Sequence, residues 1–324
     1  MHALILGAAG MIGRRLVDTL VKAGQVGGQP LSALTLLDVV QPAAPGGFSG
    51  QVRADAADLT APGAAEAAIA ERPGVIFHLA AVVSGEAEAN LELGYRVNLD
   101  GTRLLLDAIR HANAADGYRP KLIFTSSLAV FGPPFPKVIP DDHILRPASS
   151  YGVQKAMGEL MLADYARRGF LDGIGLRLPT ICVRPGKPNK AASGFFSGII
   201  REPLAGQEAI LPVPDTVRHW FASPRSATEY LLHAARIDLA PLGPRRSLTM
   251  PGLSATVADE IEALRQVGGD AAVALIRREP NPAIQAIVET WPEAFDTRRA
   301  LALGFTGDAS FDALVELHLA ETQG

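Results

Sequence analysis

HALILGAAGMIG, residues 2 to 13, is the stretch that decides the fold. A short apolar run with strand character enters a turn with glycines at 7, 10 and 13, and an amphipathic helical pattern runs from Ile12 to Ala23. Glycines at such a turn let the backbone reverse tightly, let a pyrophosphate approach main-chain N–H groups, and let the helix pack close. The helix N-terminus adds a favourable field for negative charge. Gly7, Gly10, Met11, Ile12 and Gly13 are therefore expected to hold a dinucleotide; the competing reading is a tight strand-to-helix turn without a ligand.

Outward from this turn, the apolar runs ALTLLDV, GVIFHLA, KLIFTSS and GIGLRLPT alternate with helical patterns at 99–113 and 150–167. Strands that are apolar almost throughout, alternating with helices, imply a parallel sheet covered on both faces: a doubly wound α/β core of the Rossmann kind. Beyond Arg184 the pattern loses regularity and gains Pro and Gly up to Pro214. RHWFASPRSATEYLLHAAR and SLTMPG then read as a helix and strand returning to the main sheet. The expected division is a dinucleotide-binding domain at 1–180 and 220–250 and a smaller, discontinuous substrate-binding cap at 181–219 and 251–324. QPAAPGGFSG and FGPPFPKVIPDD read as loops. The second strand ends in Asp38, where a carboxylate can accept from the adenosine ribose hydroxyls. No arginine follows to meet a 2′-phosphate, so NAD is expected over NADP. Asp58, in ADLT, either caps its own loop or contacts the adenine end.

Composition narrows the partners. A chain of 324 residues, 48% hydrophobic and 20% charged, can bury the core of one large or two coupled domains. A net charge of -4 without a basic run gives no footprint for nucleic acid, and a small molecule is the expected partner. The single cysteine, Cys182, and seven histidines without HxH, HExxH or CxxC spacing nominate no metal site. The apolar N-terminus reads as a first strand rather than a leader, and no apolar run reaches a membrane-spanning length; a cytoplasmic protein is expected.

SSYGVQK, residues 149 to 155, brings Tyr151 and Lys155 to one face of a helix by their i, i+4 spacing. A phenol ordinarily titrates near pH 10, and a cation nearby lowers that by about 1 to 3 units, toward a pH at which it can take a proton from an alcohol. The bland alternative is an exposed surface pair. Its position after Ser126-Ser127, at the end of a predicted strand that itself follows the glycine turn, favours the chemical reading.

These stretches together resemble the extended short-chain dehydrogenase/reductases, the branch that includes NAD-dependent sugar-nucleotide epimerases and dehydratases. GAAGMIG, Asp38, ADL at 57–59, HLAA at 78–81, VNLDGT at 97–102, FTSSLAVFG at 124–132, YGVQK at 151–155, RLPTICVRPG at 177–186 and DTRRALALGF at 296–305 carry the resemblance over nearly the whole chain. It implies that Ser127 holds the substrate oxygen, Tyr151 is the acid/base, and Lys155 lowers its pKa and holds the nicotinamide ribose. It also implies that Asn98 supports a water-linked proton relay, and that Asp58, Leu59, Leu79, Ala80 and Pro179 join the residues around NAD. Asn98 has a competing reading as a helix N-cap, and Ser127 as a strand-end hydroxyl bonded to backbone. Phe131 stands where many relatives have tyrosine, and Ser127-Leu128-Ala129 lacks the acid/base pair that dehydration requires.

Within the family, AAVVSGEAEANLELGYRVNLDGT, SSYGVQKAMGELMLADYARRGFLDG and LRLPTICVRPGKPNKAASGFFSGIIREPL resemble the branch that oxidises D-erythronate, a four-carbon sugar acid, at C2 with NAD. Ser84 and Gly85 follow the fourth strand, and Thr180 and Arg184 follow the sixth. Both pairs stand at the carboxyl edge where such sheets bind ligands, and with Ser127 and Tyr151 they are the expected substrate contacts. Arg184, ahead of Arg218, is the expected fork for the carboxylate, and Asn189 and Ser193 either close over the ligand or only shape their loop. The alternatives are a sugar-nucleotide 4-epimerase with tightly bound NAD, and a dinucleotide sensor without turnover. Relatives commonly form homodimers through the helix that carries Tyr151, on which Met157, Leu160 and Met161 serve core or interface.

Overall fold

β1 (His2–Leu6) has no polar side chain after its first residue, and Ala3, Leu4 and Ile5 are fully buried. A strand with two apolar faces needs cover on both, and that fixes its place inside a sheet rather than at an edge. In the computed structural model, which describes residues 1–186 and 193–323, β1 lies fifth of seven strands. The others are β2 (Ala33–Asp38), β3 (Gln51–Ala56), β4 (Val75–His78), β5 (Lys121–Ser127), β6 (Asp172–Leu178) and β7 (Ser247–Thr249), in the order β7-β6-β5-β4-β1-β2-β3. The pairs β1–β2, β1–β4, β2–β3 and β4–β5 are parallel, with registers such as His2↔Ala33 and Ala3↔Val75. The chain therefore leaves β1 in one direction to β2 and β3, then returns to lay β4 on its other side. That reversal opens a crevice at the carboxyl ends of β1 and β4.

Helices α1 (Met11–Ala23), α2 (Gly101–Asp116) and α3 (Ser150–Arg167) flank this sheet. Leu16, Val17 and Leu20 are the buried stripe of α1, which ends at Gly24 in the left-handed conformation, φ 62, its N–H donating to the carbonyls of Leu20 and Val21. Leu105, Leu106 and Ile109 of α2 pack with Ile76, Leu122, Phe124 and Leu162. Each such fully buried side chain contributes roughly 1.5–3 kcal/mol relative to exposure. One π turn, Tyr95–Asp100, precedes α2.

The chain divides into two units, 1–130 with 149–177 and 228–248, and 131–148 with 178–227 and 249–324. In the second, strand Arg218–Ala222 pairs parallel with Thr180–Ile181 and antiparallel with Leu253–Thr256. Helices Gly194–Leu204, Val257–Val273 and Phe311–Gln323 share a core of Phe196, Ile199, Phe221, Ile261, Leu264 and Val315. FGPPFPKVIPDD is stitched into this unit: the Ile139 N–H donates to Ala294 O, the Asp296 N–H to Ile139 O, and the Phe131 ring lies 5.6 Å, centre to centre, from that of Phe295 at a tilt of 46°. Helix Pro224–Arg236 and β7 do follow RHWFA, but RHWFA itself is the central strand of the second unit's sheet. Among the described residues, no helix is long and apolar enough to cross a membrane.

Candidate active site

The glycine turn is shaped by close approach. Gly7 adopts φ +89, and a Cβ there would lie 2.7 Å from the Ala80 nitrogen; a Cβ on Gly13 would run into the Gly7 carbonyl. The N–H groups of Gly7 and Ala8 both donate to Leu37 O, pinning the turn to β2. Gly10, the N-cap of α1, supplies no side-chain acceptor, and the first turn carries no acidic residue. With Met11 and Ile12 half-buried beside it, this helix start suits an anion. Asp38 Oδ2 accepts from the Ala9 N–H at 3.0 Å, which orients the carboxylate at the end of β2 with lone pairs to spare for hydroxyl donors. The side chain of Gln41 is tied across β3, to Ala54 O and the Ala56 N–H. Leu79, Ala80 and Leu59 are half-buried, and Leu59 and Ala80 pack on the core. Asp58 caps its own turn: Oδ1 accepts from the Thr60 N–H at 2.9 Å and hydroxyl at 2.6 Å, and Oδ2 meets Arg96 at 3.3 Å. The Thr60 bonds lower its pKa.

Ser149 caps α3, accepting from the Gly152 N–H at 3.2 Å, so the helix begins one residue before the tyrosine. Tyr151 is half-buried, while Lys155, one turn deeper, is 2% exposed. The Lys155 ammonium donates to Thr125 O at 2.8 Å and lies 5.7 Å from the Tyr151 ring centre and 4.8 Å from that of Phe124. Burial pushes its pKa down to about 8, and the Glu159 carboxylate one turn further on opposes the fall. Glu159 is itself clamped, accepting from Arg177 Nε at 2.9 Å and from the Ser126 hydroxyl at 2.5 Å. Ser127, at the end of β5, is half-buried; its Oγ accepts from the Ala129 N–H at 3.2 Å, an arrangement that leaves the hydroxyl proton for another acceptor.

Asn98 sits in the π turn, 2% exposed. Its Oδ1 accepts from the Val82 N–H at 2.8 Å, and its Nδ2 donates to Val82 O at 3.0 Å and Gln154 Oε1 at 2.8 Å. The amide thus ties the segment after β4 to α3. Behind it, the Thr102 hydroxyl donates to Asn98 O at 2.8 Å and lies 2.9 Å from Nε2 of the buried His78, which burial holds near pKa 3. Ser84 and Gly85, expected in a loop, are exposed at the start of a short helix, Ser84–Ala89. Glu88 of that helix accepts from the Ser150 N–H at 2.9 Å, which ties it to the start of α3.

In the second unit, buried Pro179 and half-buried Thr180 follow β6 directly. The Thr180 hydroxyl lies 2.7 Å from Nε2 of His219, a ring 4% exposed. Half-buried Arg184 donates from Nε to Ile181 O at 3.0 Å, and its carbonyl accepts from Arg201 at 2.7 Å. Arg218 donates to Ser254 O at 3.0 Å. Ser193 precedes helix Gly194–Leu204 without a side-chain cap, and Asn189 lies outside the described residues. No cluster of three or more His, Cys, Asp or Glu among the described residues could hold a metal ion. The network partners His78, Thr102, Gln154, Glu159 and His219 went unread in the sequence; Lys155 and Glu159 at i, i+4 on an otherwise apolar helix face were the available signal.

Residues 3–221 match the NAD dependent epimerase/dehydratase family. The chain is 49% identical, over 99% of its length and 98% of the relative's, to a protein of Cupriavidus necator named D-erythronate dehydrogenase. It is 42% identical to the Haemophilus influenzae protein of that name, over 98% of each. A crystal structure titled nucleoside-diphosphate-sugar epimerase from Agrobacterium tumefaciens shares 61% identity and superposes with a TM-score of 0.98, covering 100% of this chain and 95% of that one. An L-threonine dehydrogenase of Cupriavidus necator, at 22% identity, TM-score 0.85 and coverage of 99% and 100%, shares the fold.

Proposed function

The chain belongs to the NAD dependent epimerase/dehydratase family, with NAD as its cofactor, and from that premise we propose that it oxidises the C2 hydroxyl of a four-carbon sugar acid, D-erythronate, to the 2-oxo acid. The observation that carries the chemistry is the buried Lys155 ammonium held 5.7 Å from the centre of the Tyr151 ring by Thr125 O. A fixed cation beside a phenol favours its ionised form. Ser127 donates its hydroxyl proton to the substrate oxygen, Tyr151 accepts the C2 hydroxyl proton, and the C–O bond becomes a carbonyl as the C2 hydrogen departs with its electron pair. Bound NAD would supply the acceptor for that hydride, so that one alcohol would be oxidised for each NAD reduced. Asn98 holds the segment after β4 and, through Gln154, the helix on which both catalytic side chains stand.

What supports the substrate is the shared name of two relatives similar over nearly their whole length. Ser84, Gly85, Thr180 and Arg184 are the proposed contacts beyond the reacting carbon, with Arg184 for the carboxylate. A second reading, a sugar-nucleotide epimerase that returns the hydride, is favoured by the name of the Agrobacterium tumefaciens protein at 61% identity. Absorbance at the NADH band separates the two. Enzyme, NAD and D-erythronate are expected to give NADH in proportion to substrate, whereas an epimerase gives no net reduction; a flat trace with several four-carbon hydroxy acids would sink the dehydrogenase. Tyr151→Phe is expected to retain NAD binding and lose turnover by about 10³-fold, roughly 4 kcal/mol of barrier. Pairing of two copies through α3 belongs to the same proposal, supported by Met157 and Leu160, 37% and 66% exposed on that helix. Sedimentation tests it.

A further inference from the structure

The hydrogen bond between Thr180 and His219 has a direction, and the rest of the ring decides it. His219 Nδ1 lies 3.1 Å from the main-chain oxygen of Pro292. A carbonyl oxygen only accepts, so Nδ1 carries a proton. The ring is stacked on Phe196 at 5.5 Å between centres and flanked by Phe221 and Trp291, surroundings that oppose a second proton; burial lowers its pKa to about 4. At neutral pH the imidazole is uncharged and Nε2 holds a lone pair. The donor across the 2.7 Å contact is then the Thr180 hydroxyl. Threonine has one such proton, and with it committed to His219, Oγ1 can only accept from anything else.

We infer that His219 fixes Thr180 as a one-way acceptor, so that the ligand group meeting Thr180 is a donor, namely a hydroxyl of a polyhydroxy acid, and not its carboxylate. This rests on the reading of Thr180 as a substrate contact. A carboxylate placed against Oγ1 would set lone pairs against lone pairs, which leaves that end of the substrate to a cation. His219 is accordingly a positioning residue that acts on selectivity through Thr180.

Two measurements test it. With ¹⁵N-histidine label in the NAD-loaded enzyme at pH 7, two-bond ¹H–¹⁵N correlation is expected to show a neutral Nδ1–H ring that disappears in His219→Phe. A neutral Nε2–H ring or a cation at His219 would overturn the inference. In kinetics, the ratio of kcat/KM for D-erythronate over 2-hydroxybutanoate, which keeps the chain and the C2 hydroxyl but lacks the other two, reports selection for a donor. Thr180→Val is expected to reduce this ratio about tenfold, the worth of one hydrogen bond, while Thr180→Ser retains it. An unchanged ratio in Thr180→Val overturns the inference with the dehydrogenase reading intact. Oxidation of neither acid would remove that reading instead, and the tautomer measurement then decides alone.

Discussion

Each unit buries a histidine against a threonine hydroxyl, and the two hydrogen bonds run in opposite directions. In the first, the Thr102 proton goes to Asn98 O, so His78 must donate from Nε2 to Thr102. In the second, Pro292 O takes the Nδ1 proton of His219, so Thr180 donates to Nε2. The residue types are the same and a third group, a carbonyl in both cases, sets the polarity. The consequence differs too: Thr102, 2% exposed, closes a network, whereas half-buried Thr180 keeps an acceptor for a ligand. Buried charge divides the units in the same way. Glu159 of the first is paired with the Arg177 guanidinium at 2.8 Å, but Glu260 of the second is fully buried with neither oxygen hydrogen-bonded among the described residues, and burial raises its pKa well above the ordinary carboxyl value.

The largest break in this comparison comes from Glu159→Gln, which strands the Arg177 guanidinium without its carboxylate. A loss of about 3–5 kcal/mol in urea unfolding is expected. Because Glu159 opposes the downward shift of Lys155, the basic limb of the kcat/KM profile should also move to lower pH. Glu260→Gln is the matched control, expected to cost no stability; a loss equal to that of Glu159→Gln would erase the contrast.

Titration sharpens the comparison next. His78 and His219 have folded pKa values of about 3 and about 4 against an ordinary 6.5, so the unfolded chain takes up protons first as pH falls. Stability is therefore lost below pH 6.5. For His219 the loss reaches on the order of 3 kcal/mol by pH 4, and His219→Phe should flatten that part of the curve. Glu260 has the opposite sign: its raised folded pKa contributes stability at low pH that is lost as pH rises through it, and Glu260→Gln removes that slope.

The smallest effect separates the two threonines. Thr102→Val leaves the His78 Nε2–H and the Asn98 carbonyl without their partner and is expected to cost about 1–3 kcal/mol, read as a lower thermal midpoint. Thr180→Val should show itself mainly in substrate selectivity. A reversal of these two outcomes would mean that burial does not distinguish the pairs.

The parallel sheet, the glycine turn and the shared face of Tyr151 and Lys155 were legible because each depends on neighbours within one strand, turn or helix. Apolar runs of strand length and an i, i+4 spacing report local geometry without knowledge of the rest of the chain. Asp58 shows the limit: ADLT allows a cap or a ligand contact, and only the folded loop shows its carboxylate on Thr60 and Arg96. FGPPFPKVIPDD reads as a loop but does not disclose that Ile139 bonds to a segment more than 150 residues away.

The sequence by itself determined the α/β class, the order of the strands' chemistry and the helix that presents a tyrosine and a lysine together. Only the tertiary structure decided which buried groups are charged, which threonine donates and which accepts, and that Lys155 rests on Thr125 O. Those choices depend on a third partner brought in by folding. His78 needs Asn98 O, His219 needs Pro292 O and Glu159 needs Arg177, and protonation follows the whole local set of donors and acceptors, which no single segment contains.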